Sequence, residues 1–189
     1  MDNLESISET VRRGLAAKDE AREKMLPLCR DAIRYCSQSI RAIHRQEFDR
    51  AVEMLGSARD LVIQAEDAVA AHPELGNTGI VRDAQKELAE GNITLAIVCG
   101  QNLPTPAELK VEGAAYLNGL GEAVGEVRRY VLDAMRRGDL SRCEELLGAM
   151  DDIYSVLVTM DYPDAVTGGL RRTTDMVRGV LERTRSDLT

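Results

Sequence analysis

Apolar residues recur along most of this chain three and four positions apart, the spacing that lays a stripe along one side of an α-helix. Leu117, Leu120, Val124, Val127 and Val131 form one such stripe, and Ile33, Cys36, Ile40 and Ile43 form another. The pattern predicts a short amphipathic lead-in and then a long helix from about Asp19 to Arg45. Pro27 falls early enough to kink or restart that helix rather than end it. A second helix is expected over about Glu47 to Ala71, ended by His72-Pro73 and a turn around Gly76-Asn77. A third runs from near Thr78 to about Gly100. Thr105-Pro106-Ala107-Glu108 then carries a capping-box signature for a short helix, with a hydroxyl N-cap, proline at the first helical position and Glu three residues after the cap. Further helices are predicted from about Glu112 to Arg137, stopped by Gly138-Asp139, and from there to about Met160, broken at Asp161-Tyr162-Pro163-Asp164. A last one follows Gly168-Gly169 to the C-terminus. No linker or internal repeat is evident, so residues 1–189 read as one all-α domain, a bundle of about seven helices.

Composition agrees with that reading. At 189 residues the chain has length for one domain with a full core. Aromatic residues make up 3%, with no Trp and one Phe, which leaves little material for strands. Charged residues make up 30% and are interspersed in sign, as on the solvated faces of amphipathic helices. No apolar run approaches the roughly 18 residues a membrane span needs. The acidic, polar start Met1-Asp2-Asn3-Leu4-Glu5 does not read as a signal peptide, so a cytoplasmic location without membrane contact is expected. Cys29, Cys36, Cys99 and Cys143 form no CxxC pair and lie in apolar stretches, where free cysteine behaves as a small hydrophobe; neither a structural zinc nor a disulfide framework is expected.

The net charge of -8, with a pI near 4.9, argues against a protein that coats nucleic acid by bulk charge. Any such contact needs a local concentration of Arg and Lys. The first long helix offers one. Arg30, Arg34, Arg41 and Arg45 fall within about 60° of one another on a helical wheel, over a rise of about 22 Å. No acid stands between Arg34 and Arg45, and four guanidinium groups in a row suit a phosphate backbone. The plainer alternative is an exposed face paired with acids of a neighbouring helix.

Two pairs of carboxylates carry the candidate chemistry. Glu87 and Glu90 stand one turn apart on the polar edge of the most apolar helix. Glu122 and Glu126 lie within about 40° of each other on a later helix, with Arg129 and Asp133 continuing their face. If the two helices pack side by side, the four acids can converge. A cluster of that kind repels itself unless it holds a cation or takes up protons. Oxygen-only ligands suit Mg²⁺ or Mn²⁺, which bind substrate phosphates as well. Arg129 could then stabilise charge on a scissile phosphate, or pair with Glu126. The plainer alternative is solvated surface, since an acid-rich chain holds several acid pairs at this spacing by chance.

The order of these segments resembles the translin family, and within it the branch of translin-associated factor X. Leu28-Cys29-Arg30-Asp31 and Ser39-Ile40-Arg41-Ala42-Ile43-His44-Arg45 are similar to that family's opening helix. Tyr116-Leu117-Asn118-Gly119, Gly125-Glu126-Val127 and the Gly138-Asp139 stop are similar to its later core helix. The likeness runs from about Ala21 to the C-terminus. It implies a translin-like helical fold and a metal-dependent endoribonuclease acting on single-stranded or short duplex RNA, with single-stranded DNA as a further ligand. The nuclease branch carries a Glu-x-x-Glu pair, matched by Glu87 and Glu90, and an Asp-x-x-x-Glu pair, matched by Glu122 and Glu126 with Glu122 in place of Asp. By resemblance all four are metal ligands and catalytic residues, and Arg30, Arg34, Arg41, Arg45 and Arg129 bind nucleic acid. The resemblance also implies a homo-oligomeric barrel, roughly an octamer, with the acids facing its interior.

Other features are read as structural. Gly119-Leu120-Gly121 lacks the spacing and preceding strand of a dinucleotide loop and suits close helix packing instead. His44 borders the Arg stripe and reads as a surface histidine; His72 precedes a proline at a helix end; Asp151-Asp152 reads as solvated surface or an interface. Two competing functions stand beside the nuclease. One is a non-catalytic nucleic-acid-binding oligomer; the other is a helical nucleotide pyrophosphohydrolase, for which a long basic track has no use.

Overall fold

The computed structural model describes residues 3–189. Nine helices follow in order: α1 (Leu4–His44), α2 (Phe48–Ala68), α3 (Pro73–Gly76), α4 (Gly79–Val98), α5 (Pro106–Leu109), α6 (Gly113–Arg136), α7 (Cys143–Leu157), α8 (Asp164–Thr167) and α9 (Leu170–Asp187). No strand occurs among the described residues. The all-α reading holds, while the count of seven is corrected to nine among the described residues.

The two extra helices are single turns begun by prolines. Pro73 and Pro163 end helices in the sequence pattern, yet Pro73 is also the first residue of α3 and Pro163 the N-cap of α8. Proline lacks an N–H that the first turn leaves unbonded anyway, so a residue that ends one helix can start another. The lead-in is corrected too: α1 is continuous from Leu4 through Pro27 to His44. Its first part is rich in Leu, Glu, Arg and Ala, and nothing stronger than Gly14 interrupts it. The short helix α5 forms as its capping box predicts. Thr105 Oγ1 accepts from the Glu108 amide at 3.2 Å, and Glu108 Oε2 accepts from the Thr105 amide at 2.7 Å.

Two apolar cores lie on either side of α4. Leu88, Leu95 and Val98 pack with Met25, Cys29, Cys36, Ile43, Leu55 and Val62 of α1 and α2. Ala89, Ile93 and Ile97 pack with Val124, Val127 and Val131 of α6 and with side chains of α7 and α9. A helix covered on both sides must be apolar nearly all round where both cores meet it, and Ile93-Thr94-Leu95-Ala96-Ile97-Val98 at the end of α4 is buried throughout and holds no charge. Two polar side chains of α4 are buried, Gln85 and Thr94, and Gln85 has partners on two other elements. Gln85, buried, donates to Glu66 of α2 at 2.6 Å and accepts from the Glu112 amide at the start of α6 at 3.2 Å. At the other end Arg142 donates to the carbonyls of Ile97 and Val98, which the end of α4 leaves without helical donors.

α6 lies directly on α4 because Gly119 permits it. A Cβ at that position would stand 2.6 Å from the Lys86 carbonyl oxygen, 2.8 Å from Ala89 Cβ and 3.0 Å from the Glu90 nitrogen. One position earlier, Asn118 donates to the Thr167 carbonyl at 2.8 Å and accepts from Thr173 Oγ1 at 2.7 Å, tying α6 to α8 and α9. Asn118-Gly119 thus fixes where α6 sits along α4. That placement decides which acids meet.

A candidate metal centre between α4 and α6

Glu87 and Glu90 project from α4 across the Gly119 contact toward Glu122 of α6. One carboxylate oxygen of each of these three lies within 4.8 Å of the others. Each carboxylate is partly buried, so their mutual repulsion is only weakly screened. Glu90 shows the consequence most plainly. Burial, reinforced by the carboxylates of Glu87, Glu122 and Glu126, pushes it up to about 8, against a smaller opposing pull from Lys86. Glu87 is raised by burial as well, with Lys86 opposing and Glu122, Asp83 and Glu126 adding to the rise.

Glu126, one turn beyond Glu122, stands outside this trio. Its Oε2 is 2.6 Å from Nε2 of His44 at the end of α1, and 3.8 Å from Nη1 of the exposed Arg129. With the proton on Nε2, the imidazole donates to the carboxylate. The His44 side chain is only 5% exposed, and its Nδ1 has no partner among the described residues. The reading of His44 as a surface residue is therefore corrected: it is a buried partner of an acid 82 residues away in sequence. Lys86 is the second group that sequence reasoning passed over. Its Nζ donates to Glu122 Oε1 at 2.9 Å and lies 4.0 Å from Glu87. A lysine one turn before Glu90, on the same edge of the same helix, was the available signal.

The chain superposes on solved structures over nearly its whole length. It matches the crystal structure of AfC3PO with a TM-score of 0.87 at 33% identity, over 95% of this chain and 93% of that one. It matches AfC3PO in complex with duplex RNA with a TM-score of 0.84 at 34% identity, over the same shares of the two chains. A curated relative, uncharacterized protein MJ0175 of Methanocaldococcus jannaschii, is 34% identical over 176 residues, 92% of this chain and 78% of its own length. This chain belongs to the translin family, among its C3PO-like members. Apo-NeC3PO shares the fold alone, with a TM-score of 0.78 at 17% identity over 98% of this chain and 95% of that one. No family model matches the sequence.

In this C3PO-like chain the four arginines Arg30, Arg34, Arg41 and Arg45 are all exposed along one side of α1. Arg34 pairs with Asp31 of its own helix at 3.1 Å and lies over the Tyr35 ring, 5.9 Å from its centroid. Among the described residues the other three have no carboxylate within ion-pair distance, so acids of a neighbouring helix do not neutralise the stripe. His44 follows Arg41 by one turn and touches Glu126, so the C-terminal end of the stripe borders the acid cluster. No helix of the described chain is long and apolar enough to cross a membrane. Cys29, Cys36 and Cys143 are buried free thiols in the two cores, as their apolar neighbours in sequence predict.

Proposed function

We propose that this chain is an Mg²⁺- or Mn²⁺-dependent endoribonuclease acting on single-stranded or short duplex RNA, built like the nuclease branch of its family and working within a homo-oligomeric barrel. The observation that carries the proposal is the approach of Glu87, Glu90 and Glu122 to within 4.8 Å from two different helices. The donor set fits a hard divalent cation: carboxylate oxygens only, partly buried, with one acid held near 8 by burial and by the other carboxylates. When bound, such an ion supplies a Lewis acid that offsets charge on phosphate oxygens.

The chain's own groups would do the remaining work. Glu126 lies outside the trio and is fixed through one oxygen by His44, which leaves Oε1 to take a proton from an attacking water. The new bond joins water oxygen to phosphorus, and the bond from phosphorus to the leaving sugar oxygen breaks. Arg129, 3.8 Å from Glu126 and exposed, would face a phosphoryl oxygen. Arg41 and Arg45 would hold the strand's backbone beside the cluster, and Arg34 and Arg30 would extend that track along α1. The solved complex of AfC3PO with duplex RNA, at 34% identity, supports RNA as the ligand class.

A second reading has its own observation. Lys86 on Glu122 and His44 on Glu126 satisfy two of the acids without any metal, as a purely structural cluster in a non-catalytic RNA-binding oligomer would. An RNA cleavage and gel-retardation assay with Mg²⁺ or Mn²⁺ separates the two. The native chain is expected to cut, and Glu126→Gln to bind RNA while cutting about 10²- to 10⁴-fold more slowly. Retardation without cutting by the native chain in either metal favours the structural reading. Equal cutting by native and variant removes Glu126 from the chemistry.

A further inference from the structure

The first seventeen residues of α1 form an arm that the rest of the chain leaves bare. Every residue from Asn3 to Glu20 is exposed, and Ala21 is the first buried one. The arm extends about 25 Å at helical rise. Its base is held by Lys18, whose Nζ lies 2.6 Å from Glu74 of α3. Yet the arm is not polar all round. Leu4, Ile7, Val11 and Leu15 are 51% to 62% exposed and fall on one face within about 80°. On the wheel that face is the one which, further along the same helix, carries the buried Met25, Cys29 and Cys36. Lys18 and Arg22 interrupt that face, and beyond them the arm carries a second apolar stripe outside the core. A helix of this length without tertiary cover is marginal in water, so the stripe calls for an apolar partner.

We infer that residues 4–20 of α1 pair antiparallel with the same arm of a second copy of this chain. The charges point to that partner. Glu5 and Glu9 lie in the first half of the arm and Arg12 and Arg13 just past its middle, while Lys18, bound to Glu74, stands with Asp19 and Glu20 at its base. Laid antiparallel about its middle, the arm brings the acids of one copy toward Arg12 and Arg13 of the other. Glu5 and Arg12 lie within about 20° of each other, on the same flank of the apolar stripe. In an antiparallel pair like flanks face each other, so each Glu5 meets Arg12 of the other copy. Glu5 has no ion-pair partner among the described residues, and Arg12 has only the exposed Glu9 at 2.7 Å. Leu4 of one copy then packs beside Leu15 of the other, and Ile7 beside Val11, around a twofold axis near Ser8 and Glu9. A parallel pair would set Leu4 on Leu4, crowd two folded bodies at one end and leave Glu5 without a cation. The inference deepens the homo-oligomer of the proposed function by naming one of its contacts, and it is independent of the catalytic reading.

The test is the molar mass of the full chain by light scattering, with helicity measured in parallel. Leu4, Ile7, Val11 and Leu15 replaced together by Ser should lower the mass by at least half. Glu5→Arg and Arg12→Glu should each weaken association about tenfold by placing like charges opposite each other, and the two together should restore it. All six positions are exposed, so the body of the chain should keep its helicity in each variant. Restoration by the double reversal is the outcome that separates direct pairing from a general loss of solubility or fold. An oligomer whose mass is unchanged in every variant overturns the arm while leaving oligomerisation intact. A native chain that is monomeric at every concentration overturns the arm and the barrel together, and the cleavage assay then stands on its own.

Discussion

Replacing Glu90 by Gln keeps the shape of the side chain and removes its ability to ionise, which isolates the electrostatic cost of the acid cluster. In the folded chain Glu90 is raised from 4.5 to about 8, first by burial and then by Glu87, Glu122 and Glu126. Below pH 4.5 the group is protonated in folded and unfolded chains alike and contributes nothing to the difference. Between 4.5 and 8 the unfolded chain ionises while the folded chain holds its proton, so stability falls as the pH rises. Each pH unit in that interval costs about 1.4 kcal/mol, which sets an upper bound of about 5 kcal/mol; above 8 the loss levels off. Water entry and movement of Lys86 toward the carboxylate reduce the expected figure to about 3 kcal/mol. The assay is urea unfolding in EDTA at fixed protein concentration, for the native chain and Glu90→Gln, from pH 4.5 to 9. The two should agree at the acid end, and the variant should be the more stable by about 3 kcal/mol at pH 9. Adding Mn²⁺ should reverse the order at high pH. An ion at a thousand times its Kd adds about 4.1 kcal/mol to a chain that can bind it and nothing to one that cannot. Native and variant curves that run parallel across the whole range would falsify the buried, mutually repelling cluster.

Gly119→Ala puts a methyl into the Lys86 carbonyl, Ala89 and Glu90, so α6 must move off α4. We expect a loss of about 1–3 kcal/mol and a weakened thermal response to Mn²⁺; a variant with native Tm and native metal response would show that the close approach does not set the site. His44→Ala frees Glu126, with kcat expected to fall about tenfold at unchanged KM for RNA and His44→Gln to recover part of it. Equal loss in both variants, carried by KM, would mean that His44 serves binding or folding rather than the placement of Glu126. Arg41→Glu should weaken RNA binding and flatten its dependence on salt, by about one in the slope of log K against log salt; an unchanged slope places the stripe away from the strand.

Much of this protein was legible along the chain because helical periodicity is a local property. The residues that share one face of a helix follow from their spacing. Spacing therefore identified the core stripe of α6, the Thr105–Glu108 capping box, the exposed arginines of α1 and the two acid pairs. The single-turn helices α3 and α8 were missed because proline marks an end and a beginning with the same letter. The lead-in of α1 was cut short because it makes few tertiary contacts, and a sequence pattern does not distinguish a bare amphipathic helix from a covered one.

What spacing could not supply is which faces meet. Glu87 and Glu90 come to Glu122 because a missing side chain at Gly119 lets α6 rest on the backbone of α4, and Asn118 fixes the sliding of one helix along the other. The same packing turns Glu126 toward His44, 82 residues back, and sets Lys86 on Glu122. Neither pairing has a local signature, since an ion pair between helices is specified only when both have docked. The sequence by itself determined the helices and the chemistry each could present. The docking of α6 on α4, and of α1 beside both, decided which of those groups share one site, because carboxylates interact through distances of a few ångströms that only the packed core imposes.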